Sequence, residues 1–486
     1  MSYPEVIHHG GVSSITGSCH QLLADELNSL LIDCGLRLDG DSFSSSTSDL
    51  FDNFKSESIK ALILTHVHVD HVGRIPDLLA AGYRGPIICS EPSERMLPIT
   101  LEDACKHQFG HDTKRIDQCL ALVAAQTIGL PFDTWYPLVD SAELVIRVRL
   151  QRAGHILGSA YVECDVRYPS EQRDRRIVFS GDLGSSHNPI LRNPEPPARA
   201  DLMVLESTYG DRLHEDRGSR QARLEQVIDK ALADHGTILV PAFSIGRTQE
   251  LLFEIEDILR RKALVEDHDR ESQNLDATGL PVEWPQLPII LDSPLASRFT
   301  AVYQEFGDYW NDEAQDRLGQ GRKPLGFKQL IVVDSHDKHL QVVNYLSSTG
   351  RPAIVIAGSG MCSGGRIVNY LKAMLGDARH NVVFAGYQAK GTPGAAIQKY
   401  GPSGGYVELD KDRFSIKAGI TTVGGYSAHA DQQELVSFVT GMDQWPEEIR
   451  LVHGEPHAKD TLANLLRRKY SLKSRRLKLD IPGRKD

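Results

Sequence analysis

Short apolar runs separated by turn residues fill the first 210 positions of the chain. Leu30–Asp33, Ala61–Thr65, Leu144–Leu150, Tyr161–Val166, Arg176–Ser180 and Asp201–Glu206 are rich in Val, Ile and Leu and are predicted to be buried strands. Helical spacing lies between some of them, at Arg74–Ala81 and across Pro92–Val123. From about residue 211 the pattern becomes a regular alternation. Helix Arg217–His235 precedes strand Thr237–Pro241 and helix Gly246–Arg261. Strand Pro288–Leu291, helix Leu295–Phe306, strand Gln329–Val333, helix Asp337–Ser348, strand Ala353–Ala357 and helix Arg366–Leu375 follow. That rhythm predicts a parallel sheet with crossover helices. Asp39–Ser58, rich in Ser and Asp, and the acidic Glu266–Pro285 read as solvated insertions.

The length of 486 residues allows about three domains or two large ones. No apolar run approaches the ~18 residues of a membrane span, and the first residues lack the basic start and apolar stretch of a secretory signal. A cytoplasmic protein without membrane association is therefore expected. Seven cysteines without a C-x-x-C pair read as reduced and structural. The net charge of −11 argues against a general polyanion-coating protein, but not against a nucleic-acid enzyme with a locally positive cleft. The tail from Arg467 to Lys485 carries nine Lys or Arg, read as a solvated end.

The strongest chemical signal is His66-Val67-His68-Val69-Asp70-His71, directly after the strand Ala61–Thr65. Three imidazoles and a carboxylate within six residues converge on one site only if something repays their crowding, and a divalent metal does so. His155, in the glycine-flanked turn Gly154–Gly158, and Asp182, in Ser180-Gly181-Asp182-Leu183-Gly184, also stand just past strands. Alone, each is an ordinary turn residue. Together with the first cluster they complete a two-metal centre: His66, His68 and His155 on one ion, Asp70 and His71 on the other, Asp182 bridging. The remaining histidines read as bland: His107 and His111 on one helix face, His8 and His9 at a strand end lining the cleft, His336 and His339 at a helix start.

This set resembles the metallo-β-lactamase superfamily, whose pattern begins with an Asp after an early strand, here Asp33. Seven further segments decide the branch. They are Glu206–Gly210, Pro241–Glu250, Asp292–Ala296, Gly358–Arg366, Gly386–Thr392, Gly425–Asp431 and Val452–Glu455. In this order they resemble the β-CASP branch, which holds nucleic-acid phosphodiesterases such as the eukaryotic pre-mRNA 3′-end endonuclease and its prokaryotic relatives.

The resemblance implies an α/β fold: a four-layer αββα sandwich from residues 1–208 and 415–486, with a parallel-sheet β-CASP cap inserted at 209–414. It also implies that Asp33 orients the metal-binding loop without being a ligand, and that His453 completes the second metal. His429 then acts as general acid with Glu206 behind it, alongside Asp70 and Asp182 as catalytic metal-site carboxylates. Histidine at position 453 favours RNA over DNA. The expected activity is hydrolysis of single-stranded RNA with two Zn2+ ions, leaving 5′-phosphate and 3′-hydroxyl ends; Mn2+ and Fe2+ also suit His/Asp sites. Glycines at 358–365, before a helix start, suit a phosphate grip, with Ser359, Ser363, Arg366, Arg247 and Lys390 as candidate RNA contacts.

The compact span favours internal cleavage, with exonuclease action left open, and a homodimer is a further expectation. Two other classes remain: a small-molecule hydrolase of the thioesterase or lactonase type, and a non-catalytic scaffold of RNA processing. The first leaves Glu206 and His429 without a role. The second would not retain every metal ligand.

Overall fold

Leu30, Ile32, Ala61 and Ile63 sit on strands that alternate apolar side chains toward a common interior, and Ile146, Val148, Leu150, Val162 and Cys164 meet them from a second sheet. In the computed structural model, which describes residues 3–39, 42–43, 56–110, 112–215, 218–266 and 286–483, these two sheets enclose a shared hydrophobic core. The first sheet has six strands in the order Glu5–Gly10, Cys19–Leu23, Ser29–Ile32, Ile59–Ile63, Ile87–Ser90 and Thr127–Leu130. The second has seven, running Lys478–Asp480, Glu448–Val452, Leu202–Glu206, Arg173–Phe179, Ala160–Tyr168, Val145–Arg152 and Tyr136–Asp140. Helix Glu91–Phe109 packs on the outer side of the first sheet. Leu435, Val439, Leu462 and Leu466, on helices Gln432–Thr440 and Pro456–Leu472, pack on Val178, Met203 and Leu205 of the second. This is the expected helix–sheet–sheet–helix layering.

The third sheet is parallel throughout, in the order Leu330–Val332, Ile289–Asp292, Ala353–Ala357, Thr237–Pro241, Asn381–Phe384 and Gly419–Thr422. Its strands are near-continuous apolar runs, as sheets covered on both faces require. By internal contacts the chain divides into one unit of Met1–Leu213 with His429–Asp486 and a second of His214–Ala428. The second unit thus extends past the expected 414, because Gly419–Thr422 pairs with Asn381–Phe384 and closes its sheet. Among the described residues no helix is long and apolar enough to cross a membrane.

The single helix expected over Pro92–Val123 is two, Glu91–Phe109 and Thr113–Gln126. Gly110, at φ +61°, stops the first, and Asp112 starts the second by accepting the Arg115 N–H. The expected loop Asp39–Ser58 includes a two-residue hairpin pairing of Leu38–Asp39 with Ser42–Phe43; its remainder up to residue 55 lies outside the described residues, as do 267–285 of the other insertion. His111 and the side chain of His107 also lie outside them.

Candidate metal centre

The functional side chains of the first unit stand where strands end, apart from His429, which precedes helix Gln432–Thr440. The run from Ile59 to Ile63 delivers His66 to a one-turn helix, Val69–Val72, which carries Asp70 and His71. Asp33 follows Ser29–Ile32 at φ +60°, a backbone region in which Asp is enriched. Its carboxylate accepts the Thr65 N–H and the Thr65 hydroxyl, both at 2.8 Å. It also stands 2.7 Å from His71 Nδ1. This fixes the His71 proton on Nδ1 and turns the Nε2 lone pair into the site. Asp182 is reached through Gly181, at φ +53°, where a Cβ would stand 2.6 Å from Thr65 Cβ; only glycine lets the two loops meet. The turn bearing His155 is held by Ser159, whose hydroxyl accepts the N–H groups of His155 and Ile156. Ala160 N–H donates to Thr65 O across the sheets at 2.7 Å.

His66 Nε2 lies 3.0 Å from His68 Nδ1, which lies 3.2 Å from His155 Nε2. Asp182 Oδ2 is 3.6 Å from His66 Nε2 and 3.8 Å from His155 Nε2. The other Asp182 oxygen, Oδ1, is 3.1 Å from His453 Nε2 and 3.4 Å from His71 Nε2. Asp70 Oδ2 completes this second group, 3.9 Å from His71 Nε2. Within each group, His66/His68/His155/Asp182 and Asp70/His71/His453, the potential ligand atoms all lie within 4.8 Å of one another. The single carboxylate of Asp182 therefore faces both groups, one oxygen to each.

The donor set fits metal ions. Zinc–nitrogen bonds of 2.0–2.1 Å in tetrahedral geometry put ligand nitrogens about 3.3 Å apart, close to the spacing found. The three imidazole nitrogens and the Asp182 carboxylate gathered at this spacing form a ligand set. Burial holds His66 well below its ordinary pKa and His68 down to about 4, so both are neutral donors. Burial alone would lower His71 too, but Asp182, Asp33 and Asp70 outweigh it and raise it well above the ordinary value. Asp182, which burial would raise, is held well below the usual carboxylate range by His453 and His71. The pocket thus concentrates negative charge that a cation satisfies. His71 Nε2 and Asp182 Oδ1 are buried and face each other without hydrogen-bond geometry. His453 is held at φ +50°, a sparsely used region for a residue of this bulk, and its N–H donates to Gly11 O at 2.7 Å.

Beside this cluster, His429 Nδ1 lies 3.2 Å from Glu206 Oε2 and its Nε2 lies 3.9 Å from Asp182 Oδ2. Glu206 is fully buried, and its Oε1 accepts the Leu183 N–H at 2.6 Å, which sets the carboxylate's orientation. Burial opposes a charge on His429, but Glu206, together with Asp182 and Asp70, outweighs it and raises His429 to about 9. His429 remains 22% exposed, so it reaches solvent or substrate while Glu206 does not.

The structure brings together Asp33, His66, His68, Asp70, His71, His155, Asp182, Glu206, His429 and His453, all in the first unit. Arg247, Ser359, Ser363, Arg366 and Lys390 belong to the second. Two of these are tied internally: Arg247 Nη1 donates to Glu250 at 2.6 Å, and Arg366 Nη1 donates to Asp292 at 2.7 Å and to Val333 O. Ser363 and Lys390 are exposed and Ser359 is half-buried.

Sequence reasoning missed Thr65 and Ser159, which hold the ligand loops; Thr65 sits directly before the histidine run and was open to notice. It also passed over His339, which is fully buried with Nδ1 at 2.7 Å from Asp292. His8 Nδ1 rests against His20 Nδ1 at 2.9 Å, and His9 lies against Gln21.

A sandwich of two sheets with this His/Asp constellation at its strand ends defines a metal-dependent hydrolase of the metallo-β-lactamase fold. Comparison with known proteins carries the assignment further. The family model of the metallo-beta-lactamase superfamily matches residues 22–242, the Beta-Casp domain model 248–397, and that of the Zn-dependent metallo-hydrolase RNA specificity domain 413–475. The chain is 32% identical over 465 residues to "Ribonuclease TTHA0252" of Thermus thermophilus, covering 95% of both chains. It is 28% identical over 481 residues to "Transcription termination factor FttA" of Methanosarcina mazei, covering 96% of this chain and 69% of the other. The FttA of Methanothermobacter thermautotrophicus matches at 27% over 492 residues, with the same coverage. The chain belongs to the β-CASP family of the metallo-β-lactamase superfamily.

Proposed function

We propose that this protein is a zinc-dependent ribonuclease that hydrolyses phosphodiester bonds within single-stranded RNA and leaves 5′-phosphate and 3′-hydroxyl ends. The observation that carries the reading is the pairing of a two-group His/Asp cluster, bridged by Asp182, with the His429–Glu206 pair at its side. The family relationship and the ribonuclease name of the Thermus relative support the substrate class.

His66, His68 and His155 would hold one ion, Asp70, His71 and His453 the other, and Asp182 would bridge them. When bound, the ions supply a water that is ionised near neutral pH and a positive field for phosphoryl oxygens. The chain's own residues do the rest. Asp33 and Thr65 lock the His71 tautomer. Glu206 keeps His429 protonated and oriented, and His429 gives its proton to the departing 3′ oxygen. Ser359, Ser363 and Lys390 contact the RNA backbone, while Arg247 and Arg366 hold the loops that present them. The seven cysteines are free, which suits the reducing cytoplasm in which we place the enzyme.

The test is cleavage of a 5′-labelled single-stranded RNA by zinc-loaded protein beside His429→Ala with equal metal content. Internal cuts with 5′-phosphate ends, reduced about 10²–10⁴-fold in the variant, are expected. Products with 2′,3′-cyclic phosphates would sink the mechanism. Turnover of simple thioesters or lactones without RNA cleavage would return the protein to the small-molecule class.

A further inference from the structure

In an open parallel sheet, ligands bind beyond the carboxyl ends of the strands, where neighbouring strands send their connections in opposite directions. The parallel sheet of the second unit has two such places, one between Ile289–Asp292 and Ala353–Ala357 and one between Thr237–Pro241 and Asn381–Phe384, and the second carries exposed aromatic side chains. From the end of Thr237–Pro241 the chain crosses to Ile289–Asp292, on one side. From the end of the neighbouring strand, Asn381–Phe384, it leaves for Gly419–Thr422 on the other. The two loops that part here open with Phe243 and Tyr387. Both are exposed aromatic side chains, at 49% and 54%. Neither is needed by the core beneath them, which is complete with Leu239, Val355, Val382 and Phe384.

The Phe243 ring is nonetheless seated. It lies over Gly360, where a Cβ would come within 3.1 Å of ring atoms Cδ2 and Cε2. Any other residue at 360 would displace the ring. Ser244 and Ser293 face each other at 3.4 Å beneath Gly358, where a Cβ would be 3.9 Å from the Ser244 hydroxyl and 3.7 Å from that of Ser293. Lys390 stands exposed on the Tyr387 loop. The loops that follow these two neighbouring strands therefore offer two exposed aromatic side chains, hydroxyls and a cation. Single-stranded nucleic acid is held by such combinations, since every base has a π-face whatever its sequence.

We propose that the crevice between the Phe243 and Tyr387 loops is a base-binding subsite, in which an unpaired nucleobase of the RNA stacks on one or both rings while Lys390 meets the adjoining phosphate. The subsite rests on the ribonuclease reading and adds to it. It grips bases independently of their identity, at a place other than the metal cluster. It would make cleavage demand unpaired nucleotides, because a base within a duplex cannot leave its stack to enter.

The test is steady-state cleavage of a 12-nucleotide single-stranded RNA by the metal-loaded full-length enzyme and by Phe243→Ala, Tyr387→Ala and Phe243→Leu. Each loss of a ring raises KM about tenfold with kcat held, as loss of uniform binding requires. Phe243→Leu, which keeps apolar volume over Gly360 but has no π-face, behaves like Phe243→Ala. An abasic oligonucleotide of the same length, offered as competitor, inhibits wild type and variants equally, since it presents only sugar and phosphate. Three results overturn the proposal: unchanged KM in both alanine variants, recovery of KM by leucine, or an equal loss of affinity for the abasic competitor. If wild-type enzyme fails to cleave the RNA at all, the ribonuclease reading falls first and the subsite with it. Normal cleavage by wild type with any of the three results removes the subsite alone.

Discussion

The two polar clusters at strand ends, one in each unit, differ in a way that separates metal chemistry from architecture. Around Asp182, buried imidazole nitrogens and carboxylate oxygens point at one another, and His71 Nε2 and Asp182 Oδ1 stay without hydrogen-bond geometry. Around Asp292 everything is satisfied. Its Oδ2 accepts from His339 and Tyr370 and its Oδ1 from Arg366, and Asn369 closes on the far nitrogen of His339 at 2.8 Å. Both clusters contain a fully or almost fully buried Asp beside histidine. The first has the donors and spacing of a metal site; the second is satisfied within the protein. Crowding of ligand-type residues is therefore a poor guide by itself. The state of the lone pairs decides.

The largest contrast comes from deleting the central carboxylate of the first cluster. Asp182→Ala removes the carboxylate that faces both ligand sets, so metal content and RNA cleavage fall together. The loss should exceed the roughly 100-fold typical of a residue that only supports a ligand. Metal analysis by mass spectrometry beside the cleavage assay checks this, and full metal content with full activity would dissolve the distinction drawn here.

In the second cluster the equivalent experiment strikes stability instead. Arg366→Met leaves Asp292, which is fully buried, without its cation. Breaking such a pair costs about 3 kcal/mol, equivalent to about 6 °C for a domain of this size. Thermal unfolding should show that shift with metal content unchanged. A normal melting temperature with a raised KM for RNA would instead assign Arg366 to phosphate, the role expected from sequence.

That expectation failed to see Asp292 for a physical reason. Of the metal ligands of the first cluster, His66, His68, Asp70 and His71 are legible because they fall within six residues, and His155 and Asp182 because they stand beside glycines at predicted strand ends; His453 came only through the family resemblance. Arg366 reads as free because its acceptor lies 74 residues away in the chain, and His339 is 47 residues from the same carboxylate. Sheet topology joins them, and spacing carries no trace of it. The break at Gly110 was readable locally, since Gly followed by Asp112 is a stop and a start, but continuous helical periodicity on both sides masked it. The strand Cys19–Leu23 escaped notice, and Glu5–Gly10 was read only through His8 and His9 at its end, because it carries a half-exposed surface instead of an apolar run.

A smaller effect belongs to Asp33, which touches the first cluster from behind. Asp33→Asn keeps the shape but weakens the hold on the His71 proton. Zinc affinity should fall about 10–100-fold, read by competition with a chromogenic chelator, and raised zinc should restore cleavage. Loss that zinc cannot restore would place Asp33 among the groups that touch the reacting atoms.

The smallest effect at neutral pH, and the sharpest in direction, comes from Glu206. Its carboxylate is the main of three, with Asp182 and Asp70, that raise His429 to about 9 against the opposing effect of burial. A general acid works while protonated, so wild-type cleavage should hold through neutral pH and decline as pH rises toward that value. Glu206→Gln removes the charge but keeps an acceptor near Nδ1. Burial then acts unopposed by Glu206, the His429 pKa falls, and the alkaline limb of kcat moves to lower pH, so the loss of rate is slight at pH 6 and grows through pH 8. The same linkage acts on stability. The raised His429 stabilises the fold fully below its unfolded value near 6.5, and that contribution is lost as pH rises through the folded value. A pH–rate profile that keeps its alkaline limb in Glu206→Gln would free His429 from this control and leave Glu206 only its bond to the Leu183 N–H.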